Sequence, residues 1–593
     1  MTERALKILF FTPHVAIWAH TAPEALLARS LAEQGHDVEY LTCGRAQSYC
    51  AAMSAQGLAP DRTQSQADRI CRACVVGTES LRESYGFVIH SLANLISSDD
   101  RAECSALAAA AARKRCLETR VEDIDVGRLA LYEFTLAHKK MSTELTDIQW
   151  SEYEIYLRNA LLSLRGFSRY MERAIPNAIA TFSPQYSNIN PCMQYAIARG
   201  VRVLFMESGT NLGHRLGTMR VWDWKVHRLV NPALRHWGQS DWNPVTQESA
   251  AAVIAHFRQL LSGQHFAVFS VPYAGSPGIR NKWPVRPEQR ILLLTLSSYD
   301  EAYAALLIGA FPGEKVFSRV FRTQAEWVKA TIAWAAARSD LFLVIRVHPR
   351  DFPNKRDQIR SEQSFVLEGL LRDVPANVHV NWPAQGVSLY ELLEDTDVIL
   401  TGWSVTALEG LILGIPVVTY DAKLPSYPSD IMWTGHSEQE YFANIDAALG
   451  QGWSFRNVTN GFRWLAYNFV TCTVTASKTF GRHELAKRGQ IDRLATRLRN
   501  RLPRLGHALD LRNWRDAEEG ARVISVMLAG GGDSIPEVRG ATREGADAHG
   551  DAAVVTQALA QIHDLLYSNS NLPDAKQGLS SRIRGYLDVK VGA

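Results

Sequence analysis

Short apolar runs alternate with amphipathic stretches along much of the chain. Residues 7–12 form an apolar run of the length expected for a strand that is buried on both faces. Residues 23–34 place three leucines at helical spacing, and Gly35 follows where a glycine commonly ends a helix. The next apolar run, 36–42, predicts a second strand. This strand–helix–strand opening predicts a parallel sheet with crossover helices.

The same alternation continues through both halves of the chain. In the N-terminal half the pattern predicts helices over 101–115, 152–173 and 193–199 and strands over 177–182 and 201–206. In the C-terminal half it predicts strands over 290–296, 341–347, 378–381, 397–400 and 416–420, with helices over 319–338, 389–393 and 407–413 between them. We therefore predict an α/β protein with two Rossmann-like, doubly wound domains. Ligands of such folds bind at the carboxyl ends of the strands, so we expect a cleft between the two sheets.

Composition shifts divide the chain into segments. A stretch rich in Gly, Pro and Arg at 275–286 is typical of an interdomain linker, and a stretch rich in Gly, Asp and Ala at 529–551 is typical of a flexible one. The predicted divisions are an N-terminal Rossmann-like domain, a C-terminal Rossmann-like domain, a helical segment, and a last helix with a polar tail: 1–274, 287–480, 481–528 and 553–593.

Composition and charge exclude several classes of protein. The chain has 593 residues, of which 46% are hydrophobic and 21% charged, and this balance is that of a globular protein. Its net charge of +3 argues against bulk nucleic-acid binding. No apolar run reaches the roughly 18 residues of a membrane span, and the N-terminus lacks the apolar region of a signal peptide. We therefore expect a cytoplasmic enzyme that binds no nucleic acid.

The strongest chemical signal begins at the end of the predicted strand 341–347. Arg346 and Arg350 are cations that can hold a phosphate through forked hydrogen bonds. His348 lies between them and can donate to a phosphate oxygen or act as an acid toward a leaving group. Pro349 keeps His348 out of a helix. The alternative is a strand that ends in a solvated basic loop.

A second signal follows the predicted strand 397–400. Small residues lead into a helix there, and such a turn exposes backbone N–H groups toward an anion. Ser404 and Thr406 add hydroxyl donors, and Glu409 is spaced to accept hydrogen bonds from ribose hydroxyls. The alternative is structural, because Thr406 and Glu409 also have the spacing of a capping box.

A third signal is the pair Ser297 and Ser298, directly after the predicted strand 290–296. Their hydroxyl and amide groups can bind phosphate. The alternative is an N-cap cluster before a helix.

Taken in order, these motifs resemble a known group of enzymes. Residues 297–301 (SSYDE), 346–350 (RVHPR), 387–393 (VSLYELL) and 404–417 are similar to segments of the GT-B glycosyltransferases that build bacterial surface and capsular polysaccharides. The His-Pro pair resembles that of the capsule Kdo transferases, bacterial sialyltransferases and glycerophosphotransferases. The resemblance implies transfer of a sugar from a nucleotide sugar, held by the C-terminal domain, to a surface-glycan or lipid-linked acceptor on the N-terminal domain. It also implies that catalysis requires no cofactor, because basic side chains replace a metal at the diphosphate.

An inverting enzyme of this group needs a base from the N-terminal domain. Glu207 ends a predicted strand, and Glu24 lies just after the first loop, so these two are the preferred catalytic candidates beside His348. His14 and His20 in the first loop are further candidates. The alternatives are a cap or turn role for Glu207 and solvated loop histidines.

Four cysteines form a separate pattern. Cys71 and Cys74 have the spacing of a zinc knuckle, and Cys43 and Cys50 can complete a set of four thiolates. We therefore consider a structural zinc ion. The alternative is that these thiols are packing residues without a metal.

Other functions remain open at this point. A GT-B nucleotide-sugar 2-epimerase shares the architecture but needs no acceptor, and a glycerophosphotransferase shares the His-Pro motif. A non-catalytic nucleotide-binding subunit of an assembly complex is the fourth hypothesis.

The basic run 487–504 has two interpretations. It either contacts an anionic membrane, which would place the enzyme peripherally on the inner face of that membrane, or is a solvated helix face.

Overall fold

A computed structural model describes most of the chain. The described residues are 5–225, 232–237, 244–262, 271–273, 278–311, 313, 316–354, 358–425, 427–481, 501–540, 551–567 and 578–591. Their strands are β1 Lys7–Phe11, β2 Asp37–Thr42, β3 Val88–Ser91, β4 Arg120–Val121, β5 Ile124–Asp125, β6 Ala178–Phe182, β7 Arg202–Ser208, β8 Thr218–Asp223, β9 Arg290–Thr295, β10 Leu341–Arg346, β11 Val378–Asn381, β12 Val398–Thr401, β13 Val417–Thr419, β14 Trp433–Thr434 and β15 Val474–Thr475.

Helices connect these strands and extend beyond them. They are α1 Trp18–Glu33, α2 Ala51–Ala55, α3 Gln64–Tyr85, α4 Ser98–Arg113, α5 Val126–Leu129, α6 Leu131–His138, α7 Asp147–Arg173, α8 Asn190–Ala198, α9 Pro232–His236, α10 Gln247–Leu260, α11 Tyr299–Leu307, α12 Gln324–Ala336, α13 Glu362–Leu370, α14 Leu389–Asp395, α15 Thr406–Ile412, α16 Glu438–Gln451, α17 Phe455–Ala466, α18 Pro503–Leu511, α19 Glu518–Val526, α20 Ile535–Gly540, α21 Asp551–Tyr567 and α22 Leu579–Val591. The helices predicted from the pattern are present, with ends that differ by a few residues.

The N-terminal sheet has seven strands in the order β15-β8-β7-β6-β1-β2-β3. Five neighbouring strands, β7, β6, β1, β2 and β3, run parallel to one another. Strand β8 is antiparallel to β7, and β15 is antiparallel to β8. Ile8 and Phe10 pack into a core under α1, and Leu9 and Phe11 pack into the core on the other face, under α7. Because both faces are covered, β1 is apolar at nearly every position.

The C-terminal sheet has six parallel strands in the order β11-β10-β9-β12-β13-β14. Its central strand β9 is also buried on both faces, with Ile291 and Leu293 in one core and Leu292 and Leu294 in the other. The chain is therefore an α/β protein with two doubly wound, Rossmann-like sheets and a helical C-terminal extension, which is the GT-B architecture.

Several helices pack on the sheet that is distant from them in sequence. Helix α10 precedes the C-terminal sheet but contributes Val253 and Phe257 to its core. Helices α19 and α20 return to the N-terminal sheet, and α21 and α22 pack on the C-terminal sheet again. The residue limits predicted for the domains stay predictions, while the packing shows that the chain passes between the two cores more than once.

Two segments predicted to lack structure are folded where the structure describes them. Within 529–551, helix α20 buries Ile535 completely, and the Asp533 carboxylate binds Arg202 at 2.9 Å. The predicted polar tail contains α22, whose Ile583 is buried in the core of the C-terminal sheet. In both segments a few apolar residues alternate with polar ones, so the sequence pattern does not predict these contacts. Residues 541–550 lie outside the described part.

Parts of two further predicted segments also lie outside the described residues. The structure does not describe residues 482–500, which include most of the basic run 487–504, or residues 275–277, with which the predicted interdomain linker 275–286 begins. From residue 278 the linker is packed, because Ile279 is fully buried and its amide donates to Asp395 Oδ2 at 2.6 Å. Among the described residues, no helix is both long and apolar enough to cross a membrane.

Candidate active site

In both sheets the strand order reverses direction at one point, where the loops that follow two neighbouring strands diverge. In the N-terminal sheet this switch point lies between β1 and β6, and in the C-terminal sheet it lies between β9 and β12. Open α/β sheets bind ligands in the crevice at such a point. The predicted site residues of the C-terminal domain follow β9, β10 and β12, so they lie around its switch point.

The C-terminal switch point is closed by two aromatic rings. Tyr299 and Trp403, from the loops after β9 and β12, lie with ring centroids 4.5 Å apart. Beside them Ser297 is almost fully buried, and its hydroxyl oxygen has no hydrogen-bond partner in the protein. A buried hydroxyl without a partner is costly and is commonly satisfied by a ligand or water. Ser298 differs, because its hydroxyl donates to the Asp300 carboxylate.

His348 caps the short turn that follows β10. Its Nδ1 accepts a hydrogen bond from the Arg350 amide at 3.3 Å, so Nε2 carries the ring proton. Burial, together with the nearby Arg350, lowers the pKa of His348 to about 4, and the imidazole is therefore neutral at pH 7. A neutral ring with a protonated Nε2 is a hydrogen-bond donor. This state favours a hydrogen bond from His348 to a phosphate oxygen over a role as a general acid.

The two arginines predicted to bind phosphate have partners within the protein. Arg350 pairs with Asp300, with Nη2 at 2.6 Å from Oδ2, and also donates to the Leu136 carbonyl of α6 at 2.9 Å. Arg346 donates to Asn381 Oδ1 at 2.9 Å and to the Val387 carbonyl at 3.0 Å. Both guanidinium groups thus hold loops together around His348.

The loop after β12 is arranged differently from the predicted capping box. The N-cap of α15 is Val405, and its side chain makes no cap hydrogen bond. Ser404 Oγ lies 3.0 Å from Thr406 Oγ1 and accepts from the Thr406 amide at 3.3 Å. Glu409 accepts from the Tyr390 hydroxyl at 2.8 Å, and burial raises the pKa of its carboxyl to about 7. The capping-box alternative is therefore wrong.

The N-terminal switch point contains a directed chain of hydrogen bonds. Ser163 Oγ accepts from Gln47 Nε2 at 2.6 Å, and Gln47 Oε1 accepts from Asn188 Nδ2 at 2.9 Å. This chain turns Asn188 Oδ1 toward His14 Nε2, 3.2 Å away. Because an amide oxygen only accepts, His14 must donate from Nε2 and keep its lone pair on Nδ1.

His14 is therefore held as a neutral base. Burial lowers its pKa to about 4, and its buried Nδ1 has no hydrogen-bond partner in the protein. The ring lies edge-on to Tyr186, with centroids 5.7 Å apart. His20 lines the same small cleft and stacks on Phe182 at 3.9 Å.

Glu24 lies at the base of this cleft and is completely buried. The Thr12 hydroxyl donates to Glu24 Oε1, and Oε2 has no partner in the protein. Burial raises the pKa of the carboxyl to about 8. Glu24 is therefore mostly protonated at pH 7, and a protonated carboxyl cannot accept the proton of an acceptor hydroxyl.

Glu207 lies on β7, opposite Arg220 of the antiparallel strand β8. Its carboxylate binds the Arg220 guanidinium at 2.6 Å. The ion pair therefore engages the Glu207 carboxylate with a neighbouring strand of the same sheet. This contact favours a structural role for Glu207.

Contacts near α6 join the two domains. Tyr132 of α6 lies near Glu207 of the N-terminal sheet and Glu301 of α11, and burial together with these carboxylates raises the pKa of its hydroxyl. On the same side Glu362 accepts from Lys140 Nζ and from the Met141 amide, both at 2.7 Å. The two domains are therefore joined through α6 and the residues that follow it, and a cleft between His14 and His348 stays a prediction.

The four cysteines of the proposed zinc site line a single cavity of about 220 Å³ in the N-terminal domain. Burial raises the pKa of all four thiols, that of Cys74 to about 12, so they are protonated at pH 7. Among the residues that the structure describes, no three His, Cys, Asp or Glu side chains are arranged to hold a metal ion. Zinc at Cys43, Cys50, Cys71 and Cys74 therefore stays a prediction that these observations do not favour. We call this space the thiol cavity.

Sequence reasoning missed the residues that orient the two histidines. Asn188 and Gln47 lie in loops. Only their low exposure, 3% and 6%, marks them as unusual for side-chain amides. Asp300 was part of a recognised motif, but its pairing with Arg350 depends on the three-dimensional arrangement. The one available signal was a cluster of polar residues after β6, where a buried strand ends.

Comparisons with known proteins give only weak likenesses. No family model and no curated protein matches the sequence. Among solved structures, the glycotransferase of kitacinnamycin is 13% identical over 88% of this chain and 99% of its own, with a TM-score of 0.19. The Thermosulfurimonas dismutans KpsC, a β-Kdo 2,4 transferase, is 18% identical over 48% and 87%, with a TM-score of 0.26.

A third solved structure belongs to a different enzyme class. The Neisseria meningitidis UDP-GlcNAc 2-epimerase bound to UDP-GlcNAc is 9% identical over 77% of this chain and 96% of its own, with a TM-score of 0.22. At such TM-scores these likenesses carry no argument about function. The fold rests on the two sheets themselves, and the function must be argued from the site.

The buried Glu24 carboxyl predicts a pH dependence of stability. Its pKa is 4.5 in the unfolded chain and about 8 in the fold, so between these values the folded state binds more protons. The free energy of unfolding therefore falls as pH rises through this window, by up to about 1.4 kcal/mol per pH unit. We expect Glu24→Gln to remove this dependence, so that thermal unfolding shows a larger gain at pH 8 than at pH 5. The exposed Glu144→Gln is the control, and an equal effect of both variants at both pH values would contradict the assignment.

Proposed function

We propose that this protein is a GT-B glycosyltransferase that moves a sugar from a nucleotide sugar to a surface-glycan or lipid-linked acceptor. The observation that carries the proposal is the pair of switch points, one with a neutral hydrogen-bond donor at His348 and one with a neutral base at His14. We infer that the two face each other across one cleft. Group transfer needs a donor site and an acceptor base on opposite sides of one cleft. The ordered motifs of the C-terminal domain support the same assignment.

The C-terminal domain is proposed to hold the nucleotide sugar. The unpaired Ser297 hydroxyl and the His348 Nε2–H lie at the ends of the adjacent strands β9 and β10, where they can donate to the diphosphate. Ser404 and Thr406 supply hydroxyls from the other side of the switch point. Arg346 and Arg350 then act by positioning these loops, since their own hydrogen bonds are made to the protein.

The N-terminal domain is proposed to activate the acceptor. The lone pair of His14 Nδ1 accepts the proton of the acceptor hydroxyl as its oxygen attacks the anomeric carbon. The bond from that carbon to the phosphate oxygen breaks, and the nucleotide leaves. Asn188 and Gln47 hold the imidazole in the tautomer that this step requires. Glu24 and Glu207, the sequence-based candidates, are proposed to support the fold of this wall.

The first experiment identifies the donor. A thermal-shift series with CMP, UDP, GDP and CDP compounds should give one strong ligand, because a ligand at a hundredfold excess over its Kd stabilises the fold by about 2.7 kcal/mol. The shift should be lost in Ser297→Ala and kept in the Glu144→Gln control. Conversion of that nucleotide sugar without any acceptor would instead identify an epimerase, and binding without any turnover would identify a non-catalytic subunit.

Substitution of His348 separates its donor role from a structural one. We expect His348→Ala to lower kcat/KM about a hundredfold through loss of phosphate contact, with an unchanged far-UV spectrum. His348→Gln keeps a neutral N–H donor and should recover part of the activity. Wild-type turnover in His348→Ala would remove this residue from the site.

Substitution of His14 tests the base. We expect His14→Ala to lower kcat about a thousandfold while the KM for the nucleotide sugar stays the same. Because His14 works as a base only when neutral, the acid limb of kcat/KM should lie near pH 4. Asn188→Asp places a carboxylate on Nε2 and raises the pKa of the imidazole, so this limb should move to higher pH. A limb that stays in place would show that Asn188 does not act through His14.

A further inference from the structure

The outward face of α18 carries exposed leucines. Leu502 at its N-cap, and Leu505 and Leu509 within the helix, are 51%, 59% and 42% exposed. Their spacing of three and four residues places them along one side of the helix. We call these three side chains the leucine face.

The leucine face is outward because the opposite side of the helix is anchored. His507 stacks on Trp18 at 3.6 Å, and its Nδ1 lies 3.0 Å from Ser80 Oγ. Trp18 Nε1 also donates to Asp510 at 3.0 Å. Leu511 is buried in the core of the N-terminal sheet. The helix therefore cannot rotate to hide its leucines without breaking these contacts.

Arginines flank the leucine face. Arg501 and Arg512 are exposed, one directly before Leu502 and one three residues after Leu509, while Arg504 pairs with Glu79 and Glu83 of α3. The described residues from Arg501 to Arg515 include four basic and one acidic side chain, although the whole chain has a net charge of only +3.

We propose that the leucine face is a contact for the surface of an anionic lipid bilayer, with α18 lying in the plane of the interface. A short helix that exposes apolar side chains within a cationic border is the pattern of interfacial anchoring. The apolar side chains enter the boundary of the acyl chains, and the arginines bind lipid phosphates. A single exposed stripe is too narrow for a stable protein interface, whereas the charge complements an anionic membrane.

The leucine face lies close to the part of the N-terminal domain that contains His14. Helix α3 lies directly beneath α18, and its Glu79 and Arg82 also line the thiol cavity at the carboxyl end of the N-terminal sheet. A bilayer on the leucine face would thus adjoin the wall of the cleft that contains His14. This inference goes beyond the proposed function and does not depend on it, because the contact forms whatever reaction the cleft catalyses.

Co-sedimentation of the full chain with vesicles tests the proposal. We expect binding to vesicles of phosphatidylcholine mixed with phosphatidylglycerol, little binding to phosphatidylcholine alone, and weaker binding as salt increases. Leu505→Ser with Leu509→Ser should lower the partition coefficient about a hundredfold. Arg501→Gln and Arg512→Gln should each lower it about fivefold.

The matched control uses exposed apolar residues elsewhere. Phe365 and Val366 of α13 are 61% and 55% exposed on the C-terminal domain, so Phe365→Ser with Val366→Ser removes similar apolar surface without touching α18. This variant should bind vesicles as the wild type does, and thermal unfolding checks that each variant is folded. Equal binding of both double variants, or no binding to anionic vesicles, would overturn the proposal. So would self-association of the wild type that the α18 variant abolishes, because the leucine face would then be a protein interface.

Discussion

The junction of the two domains depends on the buried ion pair between Arg350 and Asp300. The pair joins the loop after β10 to the start of α11, and a third hydrogen bond from Arg350 reaches the Leu136 carbonyl in the other domain. Breaking such a pair leaves an uncompensated buried charge and typically costs about 3–5 kcal/mol. Arg350 itself lies within the short turn that His348 caps. One interaction thus links the loop that carries His348, the start of α11 and α6 of the N-terminal domain.

Much of the fold could be predicted from the sequence, because the interior strands are buried on both faces. Such strands are short apolar runs whatever surrounds them, and β9 and β10 were predicted within one or two residues. The packing of α10, α20 and α22 could not be predicted in this way. These helices bury few residues each, and the choice of sheet depends on contacts between segments far apart in the chain.

The candidate site was predictable in position but only partly in chemistry. Strand ends show where a site lies, so His14, Ser297 and His348 were all recognised as candidates. Their roles depend on partners that no spacing reveals. The arginines beside His348 were predicted as phosphate ligands, yet burial made pairing within the protein the more favourable state for both. Glu24 was preferred to His14, because its complete burial and raised pKa could not be read from a helical pattern.

Burial acts on the two histidines in the same direction but gives them opposite tasks. In both, loss of solvent lowers the pKa to about 4 and keeps the ring neutral. A neutral imidazole has one donor and one acceptor nitrogen, and its neighbours decide which nitrogen is which. The Arg350 amide donates to the lone pair of His348 and so makes Nε2 its donor, whereas His14 donates from Nε2 to the Asn188 side-chain oxygen and keeps a lone pair on Nδ1. A charged imidazolium could not supply this asymmetry, so the burial that keeps both rings neutral is itself a requirement for the chemistry proposed here.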